Sequence, residues 1–252
     1  MQLKDRVAIV TGAASGIGAG IALRFAEEGA QVVVNDRSLM AAESVSENIE
    51  NMGRKATPIQ ADVSTLEDVE RMFGEANDLF GRVDILISNA GLRKDAPVHS
   101  MTPEQWDDVL RVQLKGCFNC VKVAQQYMVP QCDGKIVIVA SPIPAGMGFP
   151  GQVNYGAANG GLIGLTTSLA TELGAHNINV NAIAPDYIET PMTREAARKD
   201  DLYLDDFKQA ALAFIPLRRL GTPDDVARVA VFLASSESSY VSGQVIGVKG
   251  GP

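Results

Sequence analysis

The chain alternates short apolar runs with longer segments in which apolar residues recur every three or four positions. Residues 7–10 and 32–34 are two such runs, and uninterrupted runs of this length are typical of strands buried on both faces of a parallel sheet. Helical spacing follows the first run at Ile17, Ile21 and Phe25,. The alternation predicts an α/β fold with a doubly wound parallel sheet, whose ligand site lies beyond the carboxyl ends of the strands.

The first apolar run ends in a glycine-rich turn. Gly12, Gly16 and Gly18 follow the run, and the absence of Cβ atoms lets the backbone reverse tightly there. The next helix, beginning near Ile17, directs its free N–H groups and positive dipole end into the turn beside Ser15. These donors favour a pyrophosphate group, so the turn predicts a dinucleotide site; an ordinary turn remains the alternative.

The second apolar run ends in Asp36, about twenty residues beyond the glycine turn,. A carboxylate at this place can accept hydrogen bonds from both adenosine ribose hydroxyls and repel a 2′-phosphate, which favours NAD over NADP. Arg37 keeps NADP open, because its guanidinium could accommodate that phosphate. A solvated arginine at a strand end is the alternative for Arg37.

Composition narrows the class of protein. The chain has 252 residues and a net charge of −8, which disfavours nucleic acid or an anionic membrane as partner. Without an internal linker, an apolar signal region or a run of membrane-spanning length, we expect a single domain over residues 1–252 and a cytoplasmic location. The three cysteines and two histidines lack metal-ligand spacing,. We therefore expect no metal site, and we expect Cys117 and Cys120 to be buried apolar residues.

Further motifs connect the chain with a known family. Residues 89–91 read Asn-Ala-Gly after the fourth apolar run, and Ser141 at the end of the fifth run precedes Tyr155 by fourteen residues. With the glycine spacing after Thr11, these motifs resemble the short-chain dehydrogenase/reductase family over nearly the whole chain. The resemblance implies a Rossmann-type fold, an NAD(P)-dependent oxidoreductase and a homodimer or homotetramer.

The resemblance also implies which residues border the cofactor. They come from the glycine turn, four strand ends, the helix that carries Tyr155 and the segment after the sixth strand: Gly12, Ser15, Gly16, Ile17, Gly18, Asp36, Arg37, Asp62, Val63, Asn89, Ala90, Gly91, Tyr155, Asn159, Pro185, Ile188 and Thr190. Asp62 equally fits a carboxylate near the start of a helix. The segment 186–215 corresponds to the family's variable lid over the substrate.

The catalytic residues implied by the family are partly replaced. Ser141 and Tyr155 match the pair that binds the reacting oxygen, with Tyr155 transferring the proton. The family's lysine four residues later is Asn159, which can hydrogen-bond a ribose but brings no charge to lower the pKa of the phenol. The family's helix asparagine is Gln113, which keeps the amide but adds a methylene; a plain helix-forming glutamine is the alternative.

The sequence is compatible with two functions. The first is a nicotinamide-dependent enzyme that interconverts a secondary alcohol and a ketone on a small or cyclic apolar substrate. The second is a dinucleotide-binding protein of the same fold whose redox activity is lost, engineered out or replaced. Retained Ser141 and Tyr155 favour the first, whereas Asn159 and Gln113 favour the second. The small, apolar residues 160–170 predict a helix face shared between protomers.

Overall fold

Seven parallel strands form one sheet in this computed structural model, which describes residues 1–141, 150–199, 209 and 211–251. The strands are β1 (Val7–Thr11), β2 (Gln31–Asp36), β3 (Ala56–Gln60), β4 (Ile85–Ser88), β5 (Gly134–Val139), β6 (Ile178–Pro185) and β7 (Val245–Val248). Their spatial order is β3-β2-β1-β4-β5-β6-β7, with parallel pairing throughout. The predicted doubly wound sheet is confirmed.

Helices cover both faces of the sheet. They are α1 (Gly16–Glu27), α2 (Leu39–Asn51), α3 (Leu66–Phe80), α4 (Pro103–Val109), α5 (Gly116–Gln131), α6 (Val153–Leu173), α7 (Pro191–Lys199) and α8 (Pro223–Ala234). Helices α1, α2 and α8 pack on one face, and α3, α5 and α6 on the other. The chain order reverses at β1, which lies between β2 and β4, so a crevice opens beyond the carboxyl ends of β1 and β4,.

Local sequence rules account for the helix starts around the site. Thr102 caps α4 in a capping box with Gln105, as its position before Pro103 predicts,. Thr222 caps α8 with Asp225 in the same way. Each box satisfies backbone donors that the first helical turn leaves without an intrahelical acceptor.

Two elements differ from what the sequence predicts. The Thr102-Pro103 start predicts one long helix through Cys117 and Val121, whereas the structure divides this stretch into α4, a π-helical turn at Leu110–Lys115 and α5. The apolar pattern predicts a last strand from Val241 to Val248, but β7 begins at Val245. Before it, the Asn181 amide donates to the Val241 carbonyl oxygen at 2.9 Å and accepts from the Gln244 N–H at 3.0 Å.

Within the described ranges, no helix combines the length and apolar character needed to cross a membrane. The same part of the chain contains no group of three histidine, cysteine or acidic side chains arranged to hold a metal ion. Cys117 and Cys120 are buried free thiols, as predicted. Burial raises the pKa of the Cys117 thiol to about 12, so it is no thiolate at neutral pH,.

Candidate active site

The glycine turn between β1 and α1 needs glycine for steric reasons. Gly12 has a φ of 62°, and a Cβ atom there would lie 2.8 Å from the Ala90 Cα atom. A Cβ atom on Gly18 would lie 2.2 Å from the Gly12 carbonyl oxygen. The turn is therefore pressed against the end of β4, and any larger residue at either position would force the two apart.

Thr11 and Asn89 tie the glycine turn to β4. The Asn89 amide donates to the carbonyl oxygens of Thr11 at 3.0 Å and Gly12 at 3.1 Å. The Thr11 hydroxyl accepts from the backbone N–H groups of Asn89 at 3.0 Å and Ala90 at 3.1 Å. Asn89 thus braces the turn as well as lining the crevice. Sequence analysis assigned no role to Thr11, although its position directly before Gly12 could have indicated one.

Two neighbouring cavities lie in the crevice and share Ala90 and Gly91. The first also brings together these predicted site residues: Ser15, Gly16, Ile17, Asn89, Gln113, Tyr155, Asn159, Pro185 and Thr190. The second is lined by the remaining residues of the β1, β2 and β3 ends: Gly12, Asp36, Arg37, Asp62 and Val63. A dinucleotide fits this arrangement, because the α1 N-terminus lines one cavity and a strand-end carboxylate lines the other.

Three predicted residues lie outside both cavity linings. Gly18 is packed beneath the turn, and Ile188 is buried in the core between the sheet and helices α1 and α8. The Ile188 carbonyl oxygen accepts from the Thr193 hydroxyl at 2.6 Å, so only the backbone N–H of Ile188 stays a candidate for contact with a ligand. Ser141 lies close enough to the Tyr155 side chain to lower the pKa of its phenol.

The two carboxylates of the second cavity each hold their own turn. Asp36 accepts from the Ser38 N–H at 3.1 Å, and Asp62 accepts from the Ser64 N–H at 2.9 Å. Asp62 thus holds the turn that precedes α3, which agrees with the alternative of a carboxylate near the start of a helix, while it still faces the cavity,. Arg37 is exposed beside Asp36 on the same cavity wall.

Tyr155 lies on the first turn of α6 and borders the first cavity. Burial raises the pKa of its phenol above the ordinary value. The Arg93 charge and the polar side chains of Ser141 and Asn159 oppose this effect, and Asp95 adds to it. The phenol is consequently protonated at neutral pH, which is the form that can donate a proton to a carbonyl oxygen.

The two residues that the sequence predicts to depart from the family pattern, Gln113 and Asn159, contact each other. Asn159 is 2% exposed and Gln113 is 7% exposed. The Asn159 amide donates to the Tyr155 carbonyl oxygen at 2.9 Å and reaches the Gln113 Oε1 atom at 3.4 Å. Gln113 in turn donates to the Leu92 carbonyl oxygen at 3.1 Å. This amide pair links α6, the π-helical turn and the segment after β4.

The π-helical turn and Gly91 place Gln113 within the cavity wall. A Cβ atom on Gly91 would lie 2.9 Å from the Gln113 Nε2 atom, so the longer amide side chain packs directly on the glycine. The longer side chain of Gln113 therefore reaches the Asn159 amide directly. Sequence reasoning treated the two positions separately, because their residues are forty-six positions apart.

The expected lid begins over the first cavity. Thr190 precedes α7, and Pro191 and Met192 at its start line the cavity. Asp186 and Tyr187 follow β6, and Tyr187 has a φ of 50°, a left-handed conformation that an L side chain rarely adopts,. Residues 200–208 and 210 of the lid lie outside the described residues. So do residues 142–149, which the sequence places along the pocket.

The sheet order and the crevice at its switch point define a Rossmann-type protein with a two-part site,. A family model described as enoyl-(acyl carrier protein) reductase matches residues 12–252. The chain belongs to the short-chain dehydrogenase/reductase family and is an oxidoreductase.

Individual relatives span the whole chain. A 3-oxoacyl-(acyl-carrier-protein) reductase of Thermotoga maritima is 43% identical over 251 residues, covering 100% of this chain and 99% of the relative. A subunit of a hydroxy(phenyl)methylsuccinyl-CoA dehydrogenase from Thauera aromatica is 39% identical over 251 residues, covering 100% and 98%. The crystal structure of a levodione reductase superposes with a TM-score of 0.91 at 33% identity, covering 98% of this chain and 97% of that one.

Proposed function

We propose that this protein is an NAD(H)-dependent enzyme that reduces a ketone to a secondary alcohol and catalyses the reverse reaction more weakly. The observation that carries the proposal is the protonated Tyr155 on the wall of the first cavity, with Ser141 close enough to lower the pKa of its phenol. A bound nicotinamide supplies the hydride. Ser141 and Tyr155 hold the carbonyl oxygen, and Tyr155 donates the proton that this oxygen needs as it becomes an alcohol.

The substrate we propose is a small or cyclic apolar ketone. A reductase named for levodione has the same fold at 33% identity. A 3-oxoacyl thioester is the second candidate, favoured by 43% identity over the full chain to a reductase named for that substrate. The test is NADH oxidation with levodione and with acetoacetyl-CoA. If the protein binds NADH tightly but turns over neither compound and no member of a wider ketone panel, the dinucleotide-binding function without redox chemistry is favoured.

Asp36 is expected to set the preference for NAD. Replacing Asp36 by Ala removes the carboxylate that would repel a 2′-phosphate, so the ratio of NADP to NAD affinities should rise by roughly tenfold. Calorimetric titration of both cofactors measures this ratio. Arg37→Ala is the matched comparison: if it weakens NADP binding more than Asp36→Ala strengthens it, Arg37 rather than Asp36 governs the choice.

The exposed face of α6 is expected to join protomers into a homodimer or homotetramer. Ala157, Gly160 and Gly164 are exposed along this face, and Cβ atoms on the two glycines would meet nothing within 4 Å. Such a flat face allows close approach of a second copy. Gly164→Arg should therefore give a folded monomer by light scattering. Gly74→Arg on α3, also in open space, should leave the assembly unchanged; a wild-type monomer would contradict the proposal.

A further inference from the structure

A cation lies over the ring of Tyr155, on a loop rather than on α6. The Arg93 Cζ atom is 6.0 Å from the Tyr155 ring centroid. Arg93 comes two residues after Gly91, in the segment that follows β4. Arginine stays charged at every accessible pH, and a guanidinium at this distance from an aromatic face acts on the ring electrostatically.

The guanidinium is held in place by a second charged residue. Arg93 Nε donates to Asp95 Oδ1 at 3.4 Å, and the Arg93 terminal nitrogen forms an ion pair with Asp95 Oδ2. Gln152 also donates to Asp95 Oδ2 at 3.4 Å. Asp95 is thereby tied to the residue just before α6, so Arg93 and Tyr155 keep their relative position.

Two charged groups among the described residues act on the phenol: Arg93 lowers its pKa and Asp95 raises it. Ser141 and Asn159 are the neutral groups that lower it. The adjacent Lys94 is directed elsewhere, because its ammonium pairs with Asp108 at 2.6 Å. Position 159, one helical turn from Tyr155, carries no charge.

We propose that Arg93 is a positioning residue for Tyr155 that supplies, from the loop after β4, the positive charge that Asn159 cannot. Asp95 opposes that charge and sets how much of it acts on the phenol. The importance of this arrangement for catalysis rests on the proposed function. The effect on the Tyr155 phenol itself does not, because it exists in the protein without substrate.

The sign of each effect follows from Coulomb's law. Removal of the Arg93 charge destabilises the phenolate, so Arg93→Gln should raise the pKa of Tyr155. Removal of the Asp95 charge leaves the guanidinium unopposed, so Asp95→Asn should lower the same pKa. Arg93→Lys keeps the charge and should largely restore the wild-type value.

The experiment titrates the phenol directly. The full-length protein is labelled with 3-fluorotyrosine, which brings the phenol pKa values into a measurable range, and the Tyr155 signal in the ¹⁹F NMR spectrum is assigned as the one missing from Tyr155→Phe. Arg93→Gln should move the Tyr155 midpoint up and Asp95→Asn should move it down. Lys94→Gln is the control and should leave it in place.

The outcomes separate this inference from the proposed function. If the Tyr155 titration midpoints of Arg93→Gln and Asp95→Asn both equal the wild-type midpoint, the role of Arg93 is overturned, whatever the activity. Midpoints that move in opposite directions without turnover of any ketone would support the role of Arg93 and count against the reductase. With turnover, the alkaline limb of the pH profile for reduction should follow the NMR midpoints.

Discussion

Replacement of Tyr155 by Phe should lower the rate of ketone reduction by roughly 100- to 10,000-fold, the range for loss of a positioned general acid. In the proposed reaction the Tyr155 phenol donates the proton to the carbonyl oxygen. Among the described residues that line the first cavity, no other side chain is a proton donor of comparable acidity. Initial rates of NADH oxidation at saturating ketone measure the loss. NADH affinity should change little, because the ring remains in the cavity wall.

Tyr127→Phe provides the matched control. Tyr127 stacks on Phe73 with ring centroids 6.1 Å apart and lines neither cavity, so the same loss of a hydroxyl should leave the rate unchanged. A Tyr155→Phe protein that retains more than a tenth of wild-type activity would show that another group donates the proton.

The wild-type rate of reduction should also hold steady through neutral pH and fall only in alkaline solution, since burial raises the pKa of Tyr155.

Replacement of Asn159 by Lys should raise the rate of alcohol oxidation at neutral pH by about tenfold or more. Position 159 lies one helical turn from Tyr155, so an ammonium there stabilises the phenolate that accepts the proton during oxidation. Each unit by which the pKa of Tyr155 falls is worth roughly a tenfold gain in phenolate while the group is mostly protonated. The pH optimum of oxidation should move down, and Tyr155→Phe should abolish the gain.

The contact between Asn159 and Gln113 refines this prediction. A lysine at position 159 must share the space that Gln113 now fills, so the double change Gln113→Asn and Asn159→Lys should exceed the product of the single effects. Asn159→Met has comparable length without the charge and should bring no gain. An Asn159→Lys protein that folds, binds NAD and still oxidises no alcohol would count against the proposed reductase and favour a pocket rebuilt for binding.

Local patterns were enough to predict the framework of the site. The Gly12 turn follows from the absence of a Cβ atom, and the caps at Thr102 and Thr222 follow from side chains that reach backbone donors three residues away. The buried strands follow from their uninterrupted apolar runs. Each of these features depends on residues within one turn or one strand, so its cause is contained in a short stretch of chain.

The contacts around Tyr155 depend on the packing of distant segments. Arg93 meets the ring because the loop after β4 folds against α6, and Gln113 meets Asn159 because a π-helical turn faces the same helix. Neither distance nor direction follows from the spacing of these residues along the chain. Sequence analysis therefore predicted an uncharged residue at position 159 where the family has lysine, and only the tertiary structure revealed a cation over the Tyr155 ring.

The order of amino acids determines the doubly wound sheet, the glycine turn, the strand-end carboxylate Asp36 and the departures at Gln113 and Asn159, because backbone sterics, apolar periodicity and residue chemistry act locally. Tertiary structure decides that these two departures form one amide pair, that Thr11 braces the turn and that Arg93 lies over Tyr155. Those relations arise where parallel strands bring their carboxyl ends together, and that convergence joins residues far apart in the chain.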